Sequence, residues 1–335
     1  MRIVHLASGL GPTGTARSLS LLAPALAELG EEQLVVNLGS REPFAGDLAQ
    51  GLVRDVRFRS WLDLAGAKEL RRVIAEFRPD AVHVWGNRAA VLYHWLRRRS
   101  SAAGRRSLIV SDVRSTTGLT GKLAARTAAG ANVVRDAPLL LAGPPSPPVC
   151  AAELGLPLNA RIIVSAGSFE RHADPISAVA AFDILKHTAK DIHLLMVGDG
   201  PLRQRAQSMA ETVGAGDLRT HFVGLRKDVV AILPAATAVL ITHRHGGRTL
   251  AAEALAARKP VVAWDTPDLA ALIRHGENGL LVPPGDRPGL SRALFRILTD
   301  PVLAEKLEAV PMGLGKYSPR TAAREWQAIY RTAAG

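Results

Sequence analysis

Two glycine-rich segments each stand between an apolar run and a predicted helix, where an anion could reach backbone N–H groups. The first covers residues 9–14 (GLGPTG), and the second is the pair Gly246 and Gly247, which follows an apolar run ending at Thr242. A helix is predicted to begin near Arg248. The first N–H groups of a helix have no partner within it and lie at its positive end, so both segments are candidate phosphate sites.

The first segment also fits the GxGxxG pattern of dinucleotide-binding proteins. Such proteins normally carry an acidic residue near the end of the second strand to hold the ribose. Ser40 and Arg41 stand in that region instead and could contact a 2′-phosphate, so an NADP-dependent oxidoreductase is one alternative. The sequence has no Tyr-x-x-x-Lys pair to move a proton with the hydride, which makes this the weaker alternative.

Glu253 is the carboxylate most closely tied to the second glycine segment. It lies about one and a half turns inside the predicted helix, far enough to reach a ribose diol rather than a phosphate. Arg248 starts the same helix, where a cation is unfavourable unless an anion is nearby. Glycines also end two other predicted strands, at Gly198 and Gly200 and at Gly224. Parallel strands present their carboxyl ends on one side of a sheet, so these positions predict a single ligand edge.

The elements that position these residues alternate between short β-branched or leucine-rich runs and longer helical patterns. Strands are predicted at residues 2–7, 33–38, 81–84 and 108–110, and again at 161–165, 193–197, 220–223, 238–242 and 261–264. Such alternation predicts parallel sheets wrapped by helices. The predicted fold class is therefore α/β, with two doubly wound Rossmann-like domains facing a cleft.

Residues 143–148 (GPPSPP) divide this alternation into two halves. Their four prolines remove backbone donors and fix φ, so neither a helix nor a central strand can pass through. The sequence predicts an N-terminal acceptor-side domain at 1–142, a proline-rich linker at 143–150 and a C-terminal donor domain at 151–318. Residues 319–335 are predicted to form a terminal helix, with Trp326 and Tyr330 on one face, that packs back toward the N-terminal domain.

Charge and cysteine content limit the partners and the compartment. The net charge is +12, and most of the excess lies in the first 150 residues, with basic clusters at 97–99 and 105–106. These clusters indicate either a solvated loop or a peripheral contact with anionic lipid at the inner membrane face. No zinc-finger spacing or aromatic–basic interleaving supports nucleic-acid binding. The single cysteine, Cys150, excludes an internal disulfide and favours the cytoplasm.

The C-terminal half resembles the donor half of GT-B glycosyltransferases of the retaining group 1, family 4 type. The matching segments are residues 197–201, 222–224, 253–254, 259–263 and 276–286. The N-terminal half resembles the family more weakly, through Gly14 and Thr15 and the strand at 80–84. The resemblance implies transfer of a hexose from a nucleotide-sugar to an acceptor hydroxyl with retention. The basic first half favours a lipid-linked or cell envelope saccharide as the acceptor, as in the synthesis of a cell envelope polysaccharide. The resemblance also implies that no metal or other cofactor is needed, which agrees with the absence of an Asp-x-Asp triplet.

The resemblance, together with the motifs above, assigns roles to residues in both halves. Asp112 and Arg114 are expected on the acceptor side, and His245 and Arg248 are expected to take part in catalysis. Donor contacts are expected at the ends of strands and the start of a helix, from Gly14, Thr15, Gly167, Ser168, Arg171, His172, Gly200, Gly224, Leu225, Arg226, Gly246, Gly247, Thr249, Leu250 and Glu253.

Three departures from the family pattern leave the function partly open. His245 stands where the first of two glutamates would be, so only the second carboxylate of that pair remains. Ser168, and Ala173 or Asp174, stand where an arginine and a lysine would neutralise the donor phosphates, and Ala271 replaces a further glutamate. The alternatives are a catalytically inactive nucleotide-sugar binding protein and a nucleotide-sugar epimerase of the same fold.

Overall fold

The computed structural model describes most of the chain as two compact units. The described residues are 1–10, 14–39, 48, 51–58, 63–98, 107–111, 132–133, 148–188, 190–214, 216, 219–309 and 318–334. One unit comprises Met1–Leu140 and Gly315–Gly335, and the other comprises Leu141–Leu314. Each unit contains a six-stranded parallel sheet, and the strand order in both is that of the dinucleotide-binding fold.

The N-terminal unit alternates strands and helices. Its strands are β1 (Arg2–Ala7), β2 (Glu32–Asn37), β3 (Val53–Asp55), β4 (Ala81–Trp85), β5 (Ser107–Ser111) and β6 (Asn132–Val133), in the order β3-β2-β1-β4-β5-β6. Its described helices are α1 (Gly14–Glu28), α2 (Leu64–Phe77), α3 (Asn87–Arg98) and, from the end of the chain, α11 (Pro319–Ala334).

The C-terminal unit repeats this arrangement. Its strands are β7 (Arg161–Ala166), β8 (Ile192–Val197), β9 (Thr220–Gly224), β10 (Ala236–Ile241), β11 (Val261–Trp264) and β12 (Leu280–Val282), in the order β12-β11-β10-β7-β8-β9. Its described helices are α4 (Pro175–Leu185), α5 (Arg203–Gly214), α6 (Val229–Ile232), α7 (Arg248–Ala256), α8 (Pro267–Ala270), α9 (Arg287–Thr299) and α10 (Pro301–Ala309).

The central strands of the C-terminal sheet are apolar along almost their whole length. All six residues of β8 are buried, as are all four of β11. Strands of a parallel sheet need this composition, because helices cover both of its faces. One core cluster joins Phe182 of α4, Trp264 of β11 and Leu294 of α9. This packing fixes where the strands end, and therefore fixes the loops that follow them.

Helix α11 packs against the N-terminal unit, although it follows the C-terminal unit in sequence. Trp326 and Tyr330, spaced at i and i+4, are fully buried in a core cluster with Leu19 and Leu22 of α1. At the helix surface Gln327 Nε2 donates to Glu31 Oε1 at 2.6 Å. The aromatic stripe of α11 is therefore core packing, as amphipathic spacing predicts.

The α/β fold class predicted from the sequence is confirmed. Residues 143–147 of the predicted linker lie outside the described part of the chain, and residues 148–150 belong to no helix or strand. Among the described residues, no helix has the length and apolar character needed to cross a bilayer.

Candidate functional site

The loops after β7 and β10 flank the point where the strand order of the C-terminal sheet reverses. Strands β7 and β10 are neighbours in the sheet, yet two strands, β8 and β9, lie between them along the chain. In open parallel sheets, the crevice at such a point beyond the carboxyl ends of the strands is where ligands bind. The candidate site is therefore formed by residues 167–174 and 242–248.

Glycines let the loops after β7 and β8 approach each other at this edge. A Cβ on Gly198 would overlap the carbonyl oxygen of Gly167, and a Cβ on Gly200 would lie 2.9 Å from the backbone N and O of Phe169. Backbone hydrogen bonds join the same loops, from Gly167 N to Val197 O at 3.0 Å and from Phe169 N to Asp199 O at 2.8 Å. Only glycine fits at these two positions, because the neighbouring atoms are backbone.

His243 lies between glycines of two different loops. A Cβ on Gly167 would lie 2.8 Å from His243 Cε1 and Nε2, and a Cβ on Gly247 would lie 3.0 Å from His243 Cβ. The ring of His172 lies edge-on to that of His243, with centroids 6.3 Å apart. The imidazole of His243 therefore fills the space between the β7 loop and the start of α7.

Polar contacts tie the β7 loop to the β10 loop. Arg244 Nε and Nη2 contact Asp174 Oδ2 at 3.1 Å and 3.0 Å, and Arg244 N donates to His172 O at 2.7 Å. Thr242 Oγ1 donates to Ala173 O at 2.9 Å. Asp174 also caps α4, since its Oδ1 accepts from Ser177 N at 3.3 Å, and its Oδ2 accepts from Ser177 Oγ at 2.9 Å. The two loops thus form one connected wall of the crevice.

Helix α7 begins at the carboxyl edge with no side chain capping its first turn. Gly246 and Gly247 both have positive φ (76° and 81°), which favours glycine and turns the chain into the helix. The N–H groups of the first turn, including that of Thr249, therefore have no intrahelical partner and can bind an anion. Arg248 is the first helical residue, and its buried Nε has no hydrogen-bond partner among the described residues.

Glu253 lies on α7 and is only 2% exposed. Leu250, one turn before it, is also buried, while His245 in the preceding loop is exposed. Burying a carboxylate is costly unless it forms hydrogen bonds or is paired with a cation. The structure thus brings the predicted carboxylate and the predicted cation Arg248 onto one helix.

The other predicted donor-site cations differ in whether they already contact an acidic side chain. Arg171 is exposed, and His172 Nδ1 contacts Glu170 Oε2 at 3.2 Å while its Nε2 lies 3.5 Å from Ser168 Oγ. Arg226 forms a bidentate ion pair with Asp228: its Nε donates to Oδ1 at 2.9 Å and its Nη2 donates to Oδ2 at 2.6 Å. The hydrogen bonds of this pair raise the pKa of Arg226 and lower the pKa of Asp228.

The remaining predicted residues lie further from this crevice or outside the described chain. Gly224 ends β9, and Leu225, which follows it, is 37% exposed. Gly14 begins α1 of the N-terminal unit, with Thr15 next to it. Asp112 and Arg114 lie outside the described residues, as do residues 11–13 of the glycine loop and Ser40 and Arg41.

At the carboxyl edge of the N-terminal sheet, Ser8 joins β1 to β4 and α3. Its Oγ donates to Trp85 O at 2.9 Å and accepts from Ala89 N at 3.0 Å. A Cβ on Gly86 would lie 2.9 Å from the same oxygen. This close packing at the glycine loop fits a structural role for Ser8.

Sequence reasoning missed Asp268, His243 and Arg244 as parts of the site. Asp268 Oδ2 accepts a hydrogen bond from Gly246 N at 2.6 Å, across 22 positions of sequence. No spacing rule links these positions, because they meet through neighbouring strands β10 and β11. For His243 and Arg244 a signal was present, since both lie between the predicted strand and the glycine pair.

Comparison with known proteins gives a family match in the second half of the chain and relatives that match most or part of its length. Residues 151–310 match the family model described as glycosyl transferases group 1. Lipopolysaccharide core biosynthesis glycosyltransferase LpsD of Rhizobium meliloti is 28% identical over 321 residues, which are 92% of this chain and 91% of LpsD. A 2-deoxystreptamine N-acetyl-D-glucosaminyltransferase of Streptomyces fradiae is 35% identical over 147 residues, 42% of this chain but only 34% of that protein.

Among solved structures, Anabaena HepE in complex with UDP and glucose has the same fold. The TM-score is 0.80 at 18% sequence identity, and the match covers 99% of this chain and 100% of HepE. The paired Rossmann-like units thus define the GT-B class of fold. Within that class, residues 151–310 are similar to group 1 glycosyl transferases, and LpsD matches most of the chain. The motifs of the C-terminal half predicted this similarity.

Proposed function

We propose that this protein transfers a hexose from a nucleotide-sugar to an acceptor hydroxyl with retention, using no metal or other cofactor. The observation that carries the proposal is the start of α7, where two glycines, free N–H groups and Arg248 come before the buried Glu253. Glu253 follows Arg248 by about one and a half turns. This order supports a diphosphate at the helix start and a ribose beside the carboxylate. HepE, which was solved with UDP and glucose, has the same fold and supports a uridine donor.

The proposed chemistry places developing negative charge where the protein can stabilise it. As the bond between the sugar and the phosphate breaks, charge accumulates on the leaving phosphate. The N–H groups of α7 and the guanidinium of Arg248 then hold that charge in place. The leaving phosphate accepts the proton of the acceptor hydroxyl, so no side chain is required as a general base.

The acceptor is proposed to be a saccharide or lipid-linked saccharide of the cell envelope. LpsD, a lipopolysaccharide core glycosyltransferase, matches over most of both chains and supports this class. A lipid-linked acceptor would bring the protein to the cytoplasmic face of a membrane. The basic excess in the first 150 residues suits a peripheral contact with anionic lipid there.

A second candidate is a nucleotide-sugar binding protein without turnover. It is favoured by exposed His245, since an imidazole cannot accept hydrogen bonds from two hydroxyls as a carboxylate does. The match of residues 151–310 to group 1 glycosyl transferases favours sugar transfer over the hydride-transfer alternative raised by the N-terminal glycine loop.

A ligand screen followed by a turnover assay tests both candidates. Thermal unfolding is measured with UDP, GDP and ADP and with their glucose conjugates, because a ligand at 100 times its Kd adds about 2.7 kcal/mol of stability. Sugar transfer and donor hydrolysis are then followed by mass spectrometry with the stabilising donor. Binding with turnover supports the enzyme, binding without turnover supports the second candidate, and no binding of any nucleotide contradicts both.

A further inference from the structure

Asp268 is a carboxylate attached directly to the glycine turn before α7. Its Oδ2 accepts from Gly246 N at 2.6 Å, and Gly246 follows His245. Pro267 and Asp268 are the first residues of the short helix α8, where a negative side chain is favourable. The side chain of Asp268 is half-buried, so part of it faces solvent.

The second oxygen of this carboxylate is open. Among the described residues, no hydrogen bond or ion pair to Asp268 Oδ1 is formed, whereas Oδ2 is held by the backbone. An ionised carboxylate only accepts hydrogen bonds, with two oxygens available. A carboxylate that is fixed through one oxygen and open through the other is therefore a preorganised acceptor for hydroxyl groups.

The turn consequently has two chemically different sides. Asp268 brings a negative charge to Gly246, and Arg248, two residues later, brings a positive charge to the start of α7. A phosphate beside Asp268 would be repelled, while a phosphate at the helix start is attracted. A ligand that satisfies both sides carries an anion at one end and hydroxyl groups at the other.

We infer that Asp268 accepts hydrogen bonds from the hydroxyls of the transferred sugar, with the donor phosphate directed toward Arg248. The inference rests on the proposed function and deepens it by naming the carboxylate that selects the sugar. His245 is exposed beside the same turn and offers at most one acceptor nitrogen. Asp268 therefore supplies the hydroxyl-binding group of this loop.

The substitution Asp268→Asn tests the inference with little change in shape. Asparagine keeps an oxygen that can accept from Gly246 N, but it removes the charge that strengthens a hydrogen bond to a hydroxyl. The Kd of UDP-glucose is expected to rise about 10-fold, which corresponds to a lost charge-assisted hydrogen bond. The Kd of UDP, which lacks the sugar, is expected to stay the same or fall slightly.

Asp265→Asn is the matched control, since Asp265 is an exposed carboxylate three residues before Asp268. It is expected to change neither Kd. If Asp268→Asn binds UDP and UDP-glucose more tightly by the same factor, Asp268 is an internal anion that competes with phosphate. If both Kd values are the same as in the wild type, Asp268 only stabilises the turn. Either result overturns the inference. Failure of the wild type to bind UDP at all would instead contradict the proposed function.

A second experiment remains informative if Asp268→Asn unfolds at a lower temperature. His245→Glu is made with Asp268 intact and in the Asp268→Asn background, and donor hydrolysis is measured in each. With Asp268 present, a second carboxylate beside it adds repulsion, so no gain is expected. In the Asp268→Asn background the new carboxylate is expected to raise hydrolysis several-fold. A gain with Asp268 intact would assign the sugar contact to position 245 and overturn the inference.

Discussion

Arginines near the carboxyl edge of the C-terminal sheet are largely engaged with aspartates. Three such pairs are Arg203 with Asp199, Arg226 with Asp228, and Arg244 with Asp174. The negative charge of the aspartate offsets the attraction that such an arginine would exert on an anionic ligand. Arg248 forms no such pair among the described residues, although it stands where a cation without an anion is unfavourable. Its charge is therefore the one best placed to meet a donor phosphate.

The substitution Arg248→Ala is expected to weaken UDP binding about 10-fold while leaving uridine binding unchanged. Only UDP carries the phosphates that the guanidinium would contact, and a hydrogen bond to a charged group contributes about 1.5–3 kcal/mol. Isothermal titration of both ligands measures the difference. Arg296→Ala, at an exposed arginine of α9, is the control. Equal losses for uridine and UDP would indicate that Arg248 supports the helix and not the phosphate.

Glu253→Gln is expected to weaken the binding of uridine as well as that of UDP, unlike Arg248→Ala. If the carboxylate holds the ribose, uridine and UDP both lose affinity by a similar factor of about 10, since both contain the ribose diol. The same titrations measure this, with Glu277→Gln as a control at an exposed glutamate. Because Glu253 is buried, the melting temperature of the variant is compared as well. Undiminished affinity in a folded variant would remove Glu253 from the site.

At the level of elements, single glycines let the chain turn from one element into the next. Gly246, Gly247 and Gly276 all have positive φ near 80°, but their surroundings differ. A Cβ on Gly246 or Gly276 would meet nothing within 4 Å. At Gly247 it would lie 3.0 Å from His243 Cβ and 3.1 Å from Ile241 Cγ2. The start of α7 therefore depends on Gly247 for space as well as for conformation.

Gly247→Ala is expected to destabilise the C-terminal unit more than Gly276→Ala does. Both variants carry the strain of a left-handed alanine, about 1–2 kcal/mol, and only the first adds crowding, which costs about 1–3 kcal/mol more. Chemical denaturation of the two variants measures the difference. Gly247→Ala is also expected to weaken UDP binding by displacing the first turn of α7. Equal destabilisation of both variants would show that His243 moves away at no cost.

The sequence predicted the long, buried elements well and the short edge elements poorly. Apolar runs such as β7 and β8 and the helix starting at Arg248 agree with the predictions to within a residue or two. Strands β3 and β12 were not predicted, because each has only three residues and no measurable alternation. The contact between Asp268 and Gly246 could not be predicted, since it depends on the packing of two loops in space. Roles of individual site residues stay predictions until ligands are measured.

At the scale of the whole chain, helix α11 from the end of the sequence packs in the N-terminal unit, where it contributes Tyr330 to a buried polar network. His83 Nδ1 lies 2.7 Å from Tyr330 Oη, and the rings of Trp85 and Trp326 lie 4.2 Å and 4.3 Å from that of His83. Trp85 Nε1 donates to His5 Nδ1 at 3.2 Å. The two ends of the sequence thus meet in one core, and the stability of the N-terminal unit depends on both.

This network predicts that mild acid destabilises the N-terminal unit. Since the indole of Trp85 can only donate, His5 Nδ1 must accept, so His5 is neutral and its Nε2–H donates to Gln33 Oε1 at 3.2 Å. Burial lowers the pKa of His5 from 6.5 to about 4, and burial together with the repulsion that a protonated His5 would exert lowers the pKa of His83 as well.

The sign of the effect follows from which state binds the proton. Above pH 6.5 His5 is neutral in both the folded and unfolded states, and its contribution to stability is fully present. Between pH 6.5 and about 4 the unfolded state binds the proton first, so the free energy of unfolding falls, by up to about 3 kcal/mol for His5 alone. Hydrogen exchange of peptides from β1, β4 and α11 between pH 7 and 4, corrected for intrinsic exchange rates, measures this loss. In His5→Gln, which cannot titrate, the pH dependence of protection in these peptides is expected to be shallower, whereas a slope identical to that of the wild type would show that His5 is not the group responsible.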